Sequence, residues 1–206
     1  MAMAAFNAAK IVIAGGFGAG KTTLVSTISE IRPLTTEGSM TAVASDIDDA
    51  AATPDKHSTT VAWDFGRITL DSDLVLYLFG TPGQSRFWFM WDQLAHGACG
   101  GIVVLDTRRL ADCFAAIDFF EAQQLPYVVA ANSFPKVPLH RTDDVREALS
   151  IRPDVPVQNC DARDRGSVKA VLITLVEHML RLQSSAHVGA LGDRTLGGAA
   201  YGHRVR

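Results

Sequence analysis

A chain of 206 residues with 48% hydrophobic and 20% charged residues is sized for one well-buried domain, and its net charge of −3 provides no general attraction for nucleic acid or an anionic membrane. The first ten residues lack the cationic start and apolar core of a secretion signal, and no apolar run is long enough to span a bilayer, so a cytoplasmic protein is expected. Three widely spaced cysteines, Cys99, Cys113 and Cys160, suit reduced packing thiols better than a disulfide or zinc framework.

In chain order, residues 1–9 form an alanine-rich N-terminal extension, and Lys10 to Ala14 is a short apolar run ended by glycine, which reads as a strand. Gly15 to Thr22, Gly-Gly-Phe-Gly-Ala-Gly-Lys-Thr, fits the phosphate-binding pattern GxxxxGK[ST]. Gly15, Gly16, Gly18 and Gly20, with Phe17 and Ala19 between them, allow successive amides to turn onto an anion. Lys21 then reaches the β- and γ-phosphates, Thr22 offers a hydroxyl to Mg²⁺, and Thr23 completes the binding set in a helix whose positive end faces the phosphates. Leu24, Val25, Ile28 and Ile31 recur at helical spacing up to Pro33. Arg32 to Thr59 has no period, and a loop of that length in a compact domain is usually functional or mobile.

Thr60 to Leu70 alternates and, with Leu74 to Phe79, reads as a hairpin turning at Asp71-Ser72. The aromatic-rich segment Ser85 to Leu94 follows Gly80-Thr81-Pro82-Gly83-Gln84. A strand at Gly100–Asp106, a helix at Leu110–Gln123 with Phe114, Ile117 and Phe120 or Glu121 at turn spacing, and a strand at Tyr127–Asn132 continue a βαβ alternation. Val145 and Leu149 mark a short helix, Val157–Cys160 a last strand, and Val168–Leu182 a final helix with Val171, Leu172, Leu175, Val176 and Met179 on one face. Residues 184–206 turn to Gly, Ala and Arg without period and are expected to be a disordered tail. The expectation is an α/β P-loop NTPase fold with a mostly parallel six-stranded sheet over residues 10–183, the ligand lying beyond the carboxyl ends of the strands. The histidines show no ligand spacing.

The order of Thr60, Thr81-Pro82-Gly83-Gln84, Asn132 and Asp161-Ala162-Arg163 after the P-loop resembles that of Ras-like small GTPases with their three-layer fold. It is most similar to the bacterial MglA-like branch and to the GTP-binding proteins of actinobacterial conservon operons, over residues 10 to 183. The resemblance implies a GTP/GDP switch with slow GTP hydrolysis and Mg²⁺, and a roadblock-type regulator and sensor-kinase system as partners. It makes Thr60 the switch I threonine that reports the γ-phosphate and ligates the metal beside Thr22, Gly83 the switch II hinge, and Gln84 the residue that orients the attacking water.

Three departures qualify this reading. Gly80 stands where the metal-supporting aspartate of the DxxG loop is usual, and Asp64 is either its substitute or an exposed strand residue. Phe17 fills a position close to where a partner's arginine finger would enter, and Arg86 either serves in cis or is a surface arginine. Asn132-Ser133-Phe134-Pro135 replaces NKxD. Asn132 and Phe134 stay with the base site, but the stacking lysine and the guanine-pairing aspartate are missing. Asp161 either replaces that carboxylate or caps the last helix, and Ala162 matches the alanine whose N–H reads guanine O6, with Arg163 beside it. Phe87 to Trp91 is too apolar for helical packing to bury whole, and with switch I it forms the expected partner surface. The rivals are a nucleotide-bound binding module without turnover and an ATP-using P-loop enzyme.

Overall fold

The computed structural model describes residues 8–32, 34–35, 63–71, 74–83 and 90–196. The elements are β1 (Ala8–Ala14), α1 (Lys21–Ile28), β2 (Leu34–Thr35), β3 (Asp64–Asp71), β4 (Leu74–Gly80), α2 (Trp91–Ala95), β5 (Gly100–Asp106), a 3-10 turn (Leu110–Cys113) leading into α3 (Phe114–Ala122), β6 (Tyr127–Asn132), α4 (Thr142–Ala148), β7 (Val157–Cys160) and α5 (Arg165–Leu196). One sheet runs in the order β2-β3-β4-β1-β5-β6-β7. The β4, β1, β5, β6 and β7 strands are parallel, and only the β3–β4 hairpin and the edge pair β2–β3 are antiparallel.

The central strands are apolar over most of their length because both faces are covered. Ile11, Ile13, Ile102, Val104, Val128 and Ala130 pack on Leu24, Val25 and Ile28 of α1 and on Val168, Val171, Leu172 and Leu175 of α5. The alternate residues Val12, Ala14, Val103, Leu105, Val129 and Ala131 pack on Trp91, Ile117, Phe120, Val145 and Leu149. This is the period-2 alternation of a sheet between two helical layers.

The structure departs from the sequence reading in several places. α1 ends at Ile28, where Ser29 turns to an extended backbone, so Ile31 lies beyond the helix. The two-residue β2 adds a seventh strand, and a pair of residues carries no periodicity by which it could be read. β1 starts at Ala8, so its first residues lie in the expected extension. Phe114, at the first turn of α3, is 42% exposed, while Ile117 and Phe120 face the core as expected, together with Ala116. α5 continues to Leu196, past Leu182, since an established helix propagates at little cost even where its sequence offers no apolar face. The described part of residues 184–206 is therefore helical; residues 197–206 lie outside the described residues, as do most of the long loop after Arg32 and the hairpin turn at Ser72.

The candidate nucleotide site

All the elements that carry the motifs end at the carboxyl edge of the sheet. The P-loop leaves β1 and enters α1 through Gly20, whose φ of 108° is left-handed and whose Cα lies so close to the Asn132 amide that an added Cβ would fall 2.5 Å from Nδ2. No side chain caps α1, so its first-turn N–H groups retain their capacity for an anion. Lys21 is 8% exposed, and its Nζ donates to Gly15 O (2.8 Å) and Gly16 O (2.7 Å), which holds the ammonium over the loop. Gly83 lies directly against it: a Cβ there would be 2.7 Å from Lys21 Nζ and 2.8 Å from Phe17 N and Cα. Phe17 is half-buried, so this contact sets the P-loop backbone against the turn that follows β4.

Asp64 is buried, and Thr22 Oγ1 donates to its Oδ2 at 2.6 Å. Hairpin register pairs Asp64 with Gly80, and a Cβ on Gly80 would come within 3.0 Å of Asp64 Oδ2. The carboxylate therefore occupies the space that a side chain at position 80 would take. Of the two sequence readings of Asp64, the exposed strand residue is excluded. A hydroxyl and a carboxylate at a helix N-terminus are hard oxygen donors that fit Mg²⁺, which takes one or two carboxylates together with substrate phosphates.

At the other end of the cradle, Asn132 Nδ2 donates to Ala19 O and Ala162 N donates to Asn132 Oδ1, both at 2.9 Å. The buried Asn132 thus joins the P-loop to the loop after β7, and Ser133 N secures its own loop to Cys160 O at 2.7 Å. Two expectations change here. The Ala162 N–H is bonded to Asn132 rather than presented to a base. Asp161 is neither a helix cap nor an open carboxylate. The cap is Asp164, whose Oδ2 accepts from Ser167 N. Asp161 accepts from Arg163 N (2.9 Å), Nε (2.8 Å) and Nη2 (2.8 Å). These bonds hold its pKa down at about 2.

The sequence reading overlooked a second pair of the same form. Arg108 donates from N and Nε to Asp106 Oδ1 and from Nη2 to Oδ2, and its guanidinium lies 3.9 Å from the Phe134 ring centre. The repeated Asp-x-Arg at two strand ends was visible in the sequence and is the signal that could have found it. Trp91 is buried, with Nε1 donating to Pro82 O and its ring edge-on to Phe119, so it belongs to the core. Thr60, Gln84, Arg86 and Phe87 to Phe89 lie outside the described residues.

The fold and this edge define a P-loop nucleotide-binding protein built like a G domain. The chain belongs to the family described as conserved hypothetical ATP binding protein, whose model matches residues 13–182. It is 30% identical to the uncharacterized protein MJ1339 of Methanocaldococcus jannaschii over 125 residues, which is 60% of this chain and 68% of that one. Among solved structures, the G domain of the T. maritima FeoB iron transporter aligns with 83% of this chain and 98% of its own, with a TM-score of 0.57 and 15% identity, a likeness of fold alone. Among the described residues no helix is long and apolar enough to cross a membrane.

Proposed function

We propose that the chain is a small GTP-binding protein that alternates between GTP and GDP states, hydrolyses GTP slowly and passes its state to a protein partner. The observation that carries this reading is the contact of Gly83 with Lys21 and Phe17, which couples the start of switch II to the phosphate cradle. Lys21 and the first-turn amides of α1 bind the phosphates; Thr22 and Asp64 hold Mg²⁺, joined by Thr60. Such an ion would supply positive charge beside the phosphates. Gln84 orients the attacking water, because phosphoryl transfer needs positioning more than a strong base. Arg86 is the cis candidate for charge stabilisation. The partner is a roadblock-type regulator of a sensor-kinase system, meeting switch I and the Phe87–Phe89 part of the apolar segment.

Two other readings have specific support. Ser133 and Pro135 in place of NKxD, and the family's description as ATP binding, favour an ATP-using protein. Phe17, close to where a partner's arginine finger would enter, favours a binding module without turnover. Titration of the purified chain with GDP, GTP, ADP and ATP in Mg²⁺ separates the first alternative. Lys21→Ala removes a full charge from the cradle and is expected to weaken every diphosphate at least about 10-fold, one charged hydrogen bond being worth about 1.5–3 kcal/mol. Gln84→Leu is expected to bind GTP normally but release phosphate at least about 10-fold more slowly. An unchanged release rate in that variant supports the module without turnover.

A further inference from the structure

We propose that Arg163, oriented by Asp161, reads the O6/N7 edge of guanine, so that base selection in this chain comes from a guanidinium fork and not from a carboxylate on the N1/N2 edge. This rests on the nucleotide-binding reading above and names the group that reads the base.

The direction of the nucleotide along the sheet edge follows from the two flanks of the P-loop. On the β4 side, Gly83 presses on Lys21 Nζ and Asp64 bonds Thr22, which makes that flank the terminal-phosphate end. The base therefore lies on the opposite flank. There Gly20 meets Asn132, and an added Gly20 Cβ would be 3.5 Å from Ala162 Cβ, so the Asp161–Arg163 loop adjoins the cradle.

Most polar groups on that flank are already committed. The Ala162 N–H goes to Asn132 Oδ1, and Asn132 Nδ2 donates to Ala19 O. A carboxylate has about four acceptor sites. Three of those on Asp161 are met by Arg163 N, Nε and Nη2, which leaves one site where the N1–H and N2–H donors of guanine need two. Arg163 is in the opposite condition. Asp161 engages the Nε/Nη2 edge of its five-donor fork, and the Nη1/Nη2 edge remains for a second pair of acceptors. Its side chain is 55% exposed, while the doubly bonded carboxylate fixes its plane.

The chemistry then selects the base. Guanine presents two acceptors, O6 and N7, at the spacing of a guanidinium edge, whereas adenine presents N7 beside the N6 donor and cannot satisfy the fork. A bidentate contact of this kind is worth about 5- to 150-fold in discrimination.

The test is competition binding to the full chain in Mg²⁺ with GDP, IDP, 7-deaza-GDP and ADP, in the wild type, Arg163→Ala and Asp161→Ala. IDP lacks the 2-amino group and is expected to bind within about 3-fold of GDP, while 7-deaza-GDP and ADP are each weaker by about 5-fold or more. Arg163→Ala is expected to bring GDP and ADP together, and Asp161→Ala to do so in part. If Asp161 itself read the base, removing Arg163 would free its carboxylate and sharpen the preference for GDP. That result, or IDP weaker than GDP by more than about 10-fold, overturns the proposal. Equal GDP and ADP affinities in the wild type overturn it while leaving the P-loop reading intact; failure of every diphosphate to bind overturns both.

Discussion

Asp64 sets a carboxylate beside Thr22 at the point where the facing strand carries Gly80. The carboxylate comes from the neighbouring strand of the hairpin, and the glycine opposite provides the room for it. Gly80→Asp would put its Cβ 3.0 Å from Asp64 Oδ2 and so crowd a second carboxylate into a buried site, where like charges without a shared partner are costly. We expect that substitution to destabilise the fold by about 2–4 kcal/mol, and the double change Asp64→Ala with Gly80→Asp to recover most of the loss. Urea midpoints of the two single variants and the double variant check this. A double variant as unstable as the sum of the singles would mean that the two sites do not exchange for one another. The sequence pointed to Asp64, but nothing in it showed that position 80 is glycine because Asp64 fills its space, since that relation exists only once the hairpin register is fixed.

The elements that make up the edge were legible to different degrees, for physical reasons. β5 and β6 could be placed to the residue because a doubly covered parallel strand is a continuous apolar run, and the P-loop because its chemistry is local in sequence. The state of Asp161 was hinted at only by the Asp-x-Arg spacing, since an i to i+2 ion pair depends on the turn after β7 and not on composition. The three-way join at Asn132 was only half visible: its place in the motif was clear, but its bonds to Ala19 O and Ala162 N link segments far apart in the chain. Those two partners are each 1% exposed residues. Asn132→Ala leaves both groups unpaired in the interior, and we expect it to cost about 2–4 kcal/mol of stability. It should also weaken GDP and ADP alike, because a loosened P-loop must be ordered on binding. Urea denaturation and nucleotide titration of this one variant measure the two effects; a variant that lost only its base preference would place Asn132 with the base and not with the framework.

For the whole molecule, pH is expected to act in two separate windows. His178, in α5, is 3% exposed, and its Nε2 finds no hydrogen-bond partner among the described residues. Burial is the main reason its pKa lies below the ordinary 6.5; Arg181 and Arg152 push it the same way, and Asp154 opposes them. Between the folded value and 6.5 the unfolded chain binds more protons, so stability is full above about pH 6.5 and falls as the pH drops below it. The slope approaches about 1.4 kcal/mol per pH unit where one proton separates the two states. Asp106 and Asp161 behave differently. Arg108 and Arg163 hold their carboxyls below the usual 3.8, so the stability they contribute is present above that value and is lost as the pH falls through their folded values. His178→Leu removes the upper window and leaves the lower one. Urea midpoints of the wild type and this variant between pH 8 and pH 3 are expected to diverge below pH 6.5, with the wild type declining first, and then to decline together below about pH 4. A wild type that held its midpoint from pH 7 to pH 5 would mean that His178 is charged at no cost in the folded chain, and so has a partner or solvent that the packing of α5 denies it.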